Sequence, residues 1–312
     1  MNLAGKEQEY IKRLAKFQHA SNIKPILKGY SDDQKFLVQQ AEGSYVVKIF
    51  DSAQAGAKYA EFRALQAMQQ YDVSCSKAIE LGEWQDISKG YMILSYIDGE
   101  EATDALLHYT EEQQLQIGIE AGKELKKIHR HQADQAMPSW HERKQAKHQA
   151  YMRSYEQLGM RIPHDESMIA FIDEHIHLME DRPNLFQHDD YHPGNLVVKD
   201  GKLAGVIDFN RCDWGDPFHE FLKVGLFSVE VSVPFAIGQI RGYFNEQSPP
   251  EYFWRLYTLY IAMSLISSIV WIQKVKPEET NEMLQRLVRV IEDHHNFASI
   301  VPRWYVHAAD EQ

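Results

Sequence analysis

With 312 residues, 44% hydrophobic and 25% charged, the chain is long enough to bury one large core or two lobes, and its composition is that of an ordinary globular protein. A formal charge of −12 and a pI near 5.7 argue against a nucleic-acid partner and suit a cationic small molecule. Only Cys75 and Cys212 occur, without a Cys-x-x-Cys, and the N-terminus has no apolar signal core, so a reducing cytoplasm is the expected location.

Taken in chain order, residues 7–18 pattern as a leading helix. Three short apolar segments at 23–29, 35–40 and 44–50 follow, separated by turn-like YSDD and AEG, and read as an antiparallel meander. Asp51 and Ser52 offer an N-cap for a helix over 53–70, in which Tyr59, Phe62, Leu65 and Met68 fall near helical spacing. Strand signals return at 78–84 and in GYMILSYIDG, residues 90–99. Beyond that point the pattern turns helical, with candidates at 111–131, 141–159, 165–181, 217–224, 254–272 and 278–294. The run at 256–272 approaches membrane-span length, but its hydroxyl residues make it a buried helix, and no membrane partner is expected. The shift near residue 98 predicts an α+β chain with a β-rich lobe over 1–97 and a larger, mostly helical lobe over 98–312.

The stretch LFQHDDYHPGNLVVKDGKLAGVIDFNRCDWGDP, residues 185–217, concentrates the chemistry. His188 and His192 are four apart, as zinc ligands on a helix are, but Pro193 and Gly194 forbid a helix there and no adjacent glutamate supplies a base. The alternative is a loop followed by a hairpin. His188, Asp190 and Asn195 spell H-x-D-x-x-x-x-N, NLVV and LAGVID are short strands about a KDG turn, and the second strand delivers Asp208. Phosphoryl transfer needs such a set: a carboxylate at the attacking hydroxyl and oxygen ligands for magnesium. Asp190 is the candidate base, with Asn195 and Asp208 as metal ligands.

HDDYHPGN followed by VIDFNRCDWGDP resembles the signature of the aminoglycoside phosphotransferase and choline kinase family. The resemblance implies a bilobal protein-kinase-like fold, Mg2+, and ATP or GTP as phosphoryl donor. It further implies a lysine on the third strand paired with a glutamate on the next helix; Lys48 in YVVKIF and Glu61 stand where these belong. MILSYIDG resembles the inter-lobe linker, where backbone groups of Ser95 and Ile97 meet the base, and the amides near Ser31 would cover the phosphates, although KGYSDD keeps a single glycine, Gly29. His188 is implied to hold the loop through the backbone, Asp216 to tie it down, and Pro217 to start a helix. The expected activity is phosphorylation of a hydroxyl on a small molecule, an aminoglycoside or macrolide antibiotic first, with choline, an amino alcohol or a sugar as the metabolic alternative. A non-catalytic nucleotide-binding regulator is a further possibility, disfavoured because Lys48, Asp190, Asn195 and Asp208 are all present.

Overall fold

The computed structural model describes residues 3–28, 33–134 and 136–310. Two compact units emerge, Met1–Gly99 with Ala204–Arg211, and Glu100–Leu203 with Cys212–Gln312. The first unit therefore takes back eight residues, 204–211, from the stretch assigned by sequence to the helical lobe.

The first unit is built on an antiparallel sheet of β1 (Asn22–Ile26), β2 (Gln34–Gln40), β3 (Gly43–Asp51), β4 (Ala78–Trp84) and β5 (Lys89–Ser95), in the order β1-β2-β3-β5-β4. Strand alternation puts Val47 and Ile49 on one face, in a core with Phe36, Val38, Ile93, Trp84, Ile11 and Phe17. Lys48 thereby projects from the opposite face, opposite Lys35 on β2 and Met92 on β5. The leading helix, Leu3–Arg13, ends earlier than the sequence pattern suggests because Leu14 is extended (φ −68°, ψ 129°). After β3, Asp51 Oδ1 accepts from Ala53 N–H at 3.0 Å, and a single 3-10 turn leads into the helix Ala55–Gln70. Its inward face carries Lys58, Glu61, Leu65 and Met68; Tyr59, assigned by spacing to that face, is exposed.

In the second unit, β7 (Leu185–Gln187) pairs with β10 (Asp213–Gly215), while β6 (Glu100–Glu101), β8 (Leu196–Lys199) and β9 (Lys202–Val206) form a small sheet. The β8–β9 turn has Asp200 and Gly201 at φ 51° and 72°, the pair of left-handed residues a two-residue hairpin requires. The end of β9 runs into the first unit, where Val206 N–H donates to the Ser74 carbonyl at 2.8 Å. Gly205 permits that approach: a Cβ there would lie 2.9 Å from the same carbonyl oxygen.

The helices Glu111–Ile128, Trp140–Gln157, Asp165–His175, Glu251–Val275 and Thr280–Asp293 follow the sequence pattern. Glu251–Val275 is long and apolar enough to span a membrane, yet 72% of its apolar window is buried within the protein. Two features differ from expectation. The helical stretch expected at 217–224 continues to Val231, through a 3-10 turn at Pro217–Phe221 and a π-helical segment at Val224–Ser228. A further helix, Val233–Tyr243, lies against Glu111–Ile128 backbone to backbone, because Gly118 and Gly122 meet Gly238 and Gly242; a Cβ at Gly122 would sit 2.1 Å from the Gln239 carbonyl oxygen.

Candidate active site

Within the first unit, strand, helix and returning loop converge on Lys48. Its Nζ donates to Glu61 Oε1 at 2.6 Å and to Asp208 Oδ1 at 3.2 Å. Burial alone would lower the Lys48 ammonium, but the two carboxylates outweigh it and hold the group above its ordinary range. Two further lysines, not anticipated from sequence, join the network: Lys58 pairs with Asp33 and lies 3.5 Å from Glu61 Oε2, and Lys35 Nζ lies 3.7 Å from Asp208 Oδ2. Asp208 itself is left-handed, at φ 65°. Such backbone is costly for a residue with a Cβ and fixes where the carboxylate points.

Ser31 lies outside the described residues, as do the other positions of 29–32 in the expected phosphate-covering turn. Ser95, the last residue of β5, is bound to Lys77. Its N–H donates to the Lys77 carbonyl at 3.0 Å and its Oγ accepts from Lys77 N–H at 2.8 Å, so the sheet edge already uses its amide. Ile97 lies beside Gly205, where its Cδ1 would be 2.8 Å from an added Cβ.

In the second unit, the loop after β7 is folded by its own polar groups. Asp190 N–H donates to the Nδ1 of the fully buried His188 at 3.3 Å, and Gly194 N–H donates to His192 Nδ1 at 3.1 Å. Both histidines thus spend a ring nitrogen on the backbone, and no group of three or more His, Cys, Asp and Glu gathers as a metal site among the described residues. Asn195 Nδ2 donates to the Asp190 carbonyl at 2.9 Å and to Asp190 Oδ2 at 3.3 Å, which turns its amide oxygen away from Asp190.

Asp190 Oδ1 accepts from Lys223 Nζ at 2.8 Å and faces His192 Nε2 at 3.6 Å. Burial would raise the Asp190 carboxyl, but His192 and Lys223 prevail and hold it well below the usual carboxylate range. Lys223 comes from the helical stretch after Pro217, and its Nζ stands 5.4 Å from the Phe227 ring of the π segment. Neither residue carries a sequence signal linking it to the loop.

Asp216 braces the whole arrangement. Arg182 binds it through two hydrogen bonds of 2.6 and 2.7 Å, Tyr260 OH donates at 2.7 Å, and Phe218 N–H donates at 3.0 Å as Pro217 opens the next turn. Gln187, immediately before the loop, donates to the Asp216 carbonyl.

Residues 22–254 match the model of the APH family, the phosphotransferase enzyme family. No curated protein matches the chain. Among solved structures, it is similar to the aminoglycoside phosphotransferase APH(4)-Ia in ternary complex with ADP and hygromycin B, at 15% identity and a TM-score of 0.67, with 91% of this chain and 97% of that one covered. It is similar also to the gentamicin complex of APH(2")-IIa, at 18% identity, a TM-score of 0.65 and coverages of 93% and 97%. A third is the GDP complex of aminoglycoside 2'-phosphotransferase IIIa, at 12% identity, a TM-score of 0.68 and coverages of 94% and 99%. The family match spans most of the chain, and these likenesses agree with it in fold: the chain belongs to the APH phosphotransferase family, small-molecule phosphotransferases of protein-kinase-like fold.

Proposed function

We propose that the protein transfers the γ-phosphoryl group of ATP or GTP to a hydroxyl of a small acceptor, using Lys48, Glu61, Asp190, Asn195 and Asp208. The observation that carries this reading is the meeting of Lys48 with Glu61 and with Asp208, 160 residues further along the chain. Lys48, oriented by Glu61, neutralises the donor phosphates. Asp208 and the outward-turned oxygen of Asn195 are hard oxygen donors that fit magnesium. When bound, the ion neutralises charge on the β- and γ-phosphates.

Asp190 accepts a hydrogen bond from the acceptor hydroxyl and aims it. The acceptor oxygen bonds to the γ-phosphorus, the bridging P–O bond breaks with its electron pair going to the nucleoside diphosphate, and the hydroxyl proton passes to Asp190 as charge on the oxygen falls. A carboxylate held so far below its ordinary range orients better than it deprotonates. His188 shapes the loop through its bond from the Asp190 amide.

Similar proteins crystallised with hygromycin B or gentamicin support an antibiotic acceptor. A second reading, a metabolic hydroxylated molecule, is favoured by the lysines gathered around Asp189. The test is ADP and GDP release with magnesium across aminoglycosides, macrolides, choline, ethanolamine, sugars and sugar acids. The expected outcome is stimulation by one class, reduced by orders of magnitude in Asp190→Asn while nucleotide binding persists. Equal turnover in that variant would remove Asp190 from its role.

A further inference from the structure

Lys144, on the helix Trp140–Gln157, makes no direct ion pair, although Asp189 and Asp213 attract it from further off. Its Nζ donates to His219 Nε2 at 2.7 Å and stands 5.6 Å from the Trp140 ring, and no carboxylate of the described residues comes within ion-pair distance of it. Lys147 is one turn away on the same helix.

The surrounding acids are committed elsewhere. Asp213 is held by Arg143 at 3.5 Å and by Trp214 N–H at 2.8 Å, Asp190 by Lys223 at 2.8 Å, and Asp216 by Arg182 at 2.6 Å. Burial and the like charge of Lys147 push the Lys144 ammonium down to about 7, against the weaker pull of Asp189 and Asp213. Burial and the neighbouring Glu220 push Asp189 up to about 6 against the pull of Lys223, Lys144 and Lys147, and its nearest approach to this cluster is to His219, not to Lys144.

The floor under Lys144 is rigid. Trp140 Nε1 donates to Tyr260 OH at 2.9 Å, Tyr260 OH donates to Asp216, and the His219 ring packs edge-on to Trp140 and Tyr260 at 5.0 and 5.2 Å. Because His219 Nε2 accepts from Lys144, the neutral ring carries its proton on Nδ1. That atom is buried without a hydrogen-bond partner and lies 3.8 Å from Asp189 Oδ1, next in sequence to Asp190. Two spare ammonium hydrogens and an unspent imidazole N–H are thus fixed beside the loop.

We propose that Lys144, flanked by His219 and Lys147, seats an anionic group, a carboxylate or a phosphate, carried by the acceptor. This deepens the phosphotransfer reading and rests on it: the acceptor is a hydroxylated anion rather than a polycation, which Lys144, Lys147 and Lys223 would repel.

The test separates seat from chemistry. Full-length protein saturated with AMP-PNP and magnesium is titrated by calorimetry with malonate and, separately, with inorganic phosphate. The expected result is that at least one anion binds, that Lys144→Met and Lys144→Gln weaken it at least about tenfold, as for the loss of one charge-assisted hydrogen bond, and that Lys144→Arg retains it. Which anion binds distinguishes a carboxylate from a phosphate.

In the transfer assay, gluconate should stimulate ADP release more than sorbitol, with the gap closing in Lys144→Met. Failure of both anions to bind the wild type, equal binding by folded Lys144→Met, or displacement of AMP-PNP by the anion would overturn the seat. Wild-type turnover of kanamycin by Lys144→Met would also overturn it while leaving phosphotransfer standing. Stimulated release that survives Asp190→Asn would instead sink the phosphotransfer reading, and the anion titration would still decide Lys144.

Discussion

Replacing Glu61 by glutamine keeps the shape of the first-unit network and removes its central charge. Glu61 lies 2.6 Å from Lys48 Nζ and 3.5 Å from Lys58 Nζ, and the three side chains are 2%, 6% and 9% exposed. At an effective permittivity of 20 these separations correspond to about 6 and about 5 kcal/mol of attraction. Most of that is offset because a neutral amide is cheaper to bury, Lys48 keeps Asp208, and Lys58 keeps Asp33. A net loss of about 3 kcal/mol remains, the lower end of the range for breaking a buried pair.

Hydrogen exchange in β3 reads this locally, without assuming that the two units unfold together, and roughly 3 kcal/mol predicts exchange accelerated about a hundredfold. In a Lys48→Met background the same change should cost clearly less, since one of the stranded cations is gone. Acceleration below about threefold, or strict additivity in that cycle, would refute the account of Glu61 as the anion that holds both lysines.

Lys223→Met should move the acid limb of kcat/KM to higher pH. Lys223 and Asp190 are 2.8 Å apart with side chains 15% and 21% exposed, so after screening the pair contributes about 2–3 kcal/mol, or roughly 1.5–2 pH units. The sign follows from the depressed carboxyl: its stabilisation is present above the ordinary carboxylate range and is lost as pH falls, and without Lys223 only His192 opposes burial, so protonation begins higher. An acid limb left at the wild-type position in Lys223→Met would remove Lys223 from that role. Gly122→Ala should lower Tm by several degrees, as about 1–3 kcal/mol of overpacking separates the helix pair, and an unchanged or raised Tm in calorimetry would contradict the close approach.

Local patterns read well because the chain's own chemistry enforces them. The H-x-D-x-x-x-x-N loop closes through bonds among His188, Asp190, His192, Gly194 and Asn195, all within a few residues, and strand alternation alone sends Lys48 to the face opposite Val47. Across long separations spacing fails. Lys48 and Asp208 were joined only through the family resemblance, while Lys223 with Asp190, Lys58 with Asp33 and Lys144 with His219, separated by 33, 25 and 75 residues, had no signal at all. The helix Val233–Tyr243 escaped for a related reason. Gly238 and Gly242 lower its intrinsic propensity, and what stabilises it is close contact with Gly118 and Gly122 on another helix, which no window of its own sequence contains.

The net charge of −12 suits a cationic acceptor, and the local geometry points the other way. The two effects act at different distances. Beyond about 8 Å, salt screens the summed charge, which therefore governs encounter more than seating. Within a few ångströms what counts is which charges remain uncommitted after the fold has paired the rest. Asp190, Asp213 and Asp216 are each bound to a cation, Asp189 is raised by burial and Glu220, and the direct hydrogen-bond partner of Lys144 is an imidazole. A polycation docking here would have to displace internal cations from their carboxylates. An anion would meet donors already oriented and unspent, and would restore to Lys144 the charge that burial and Lys147 draw down.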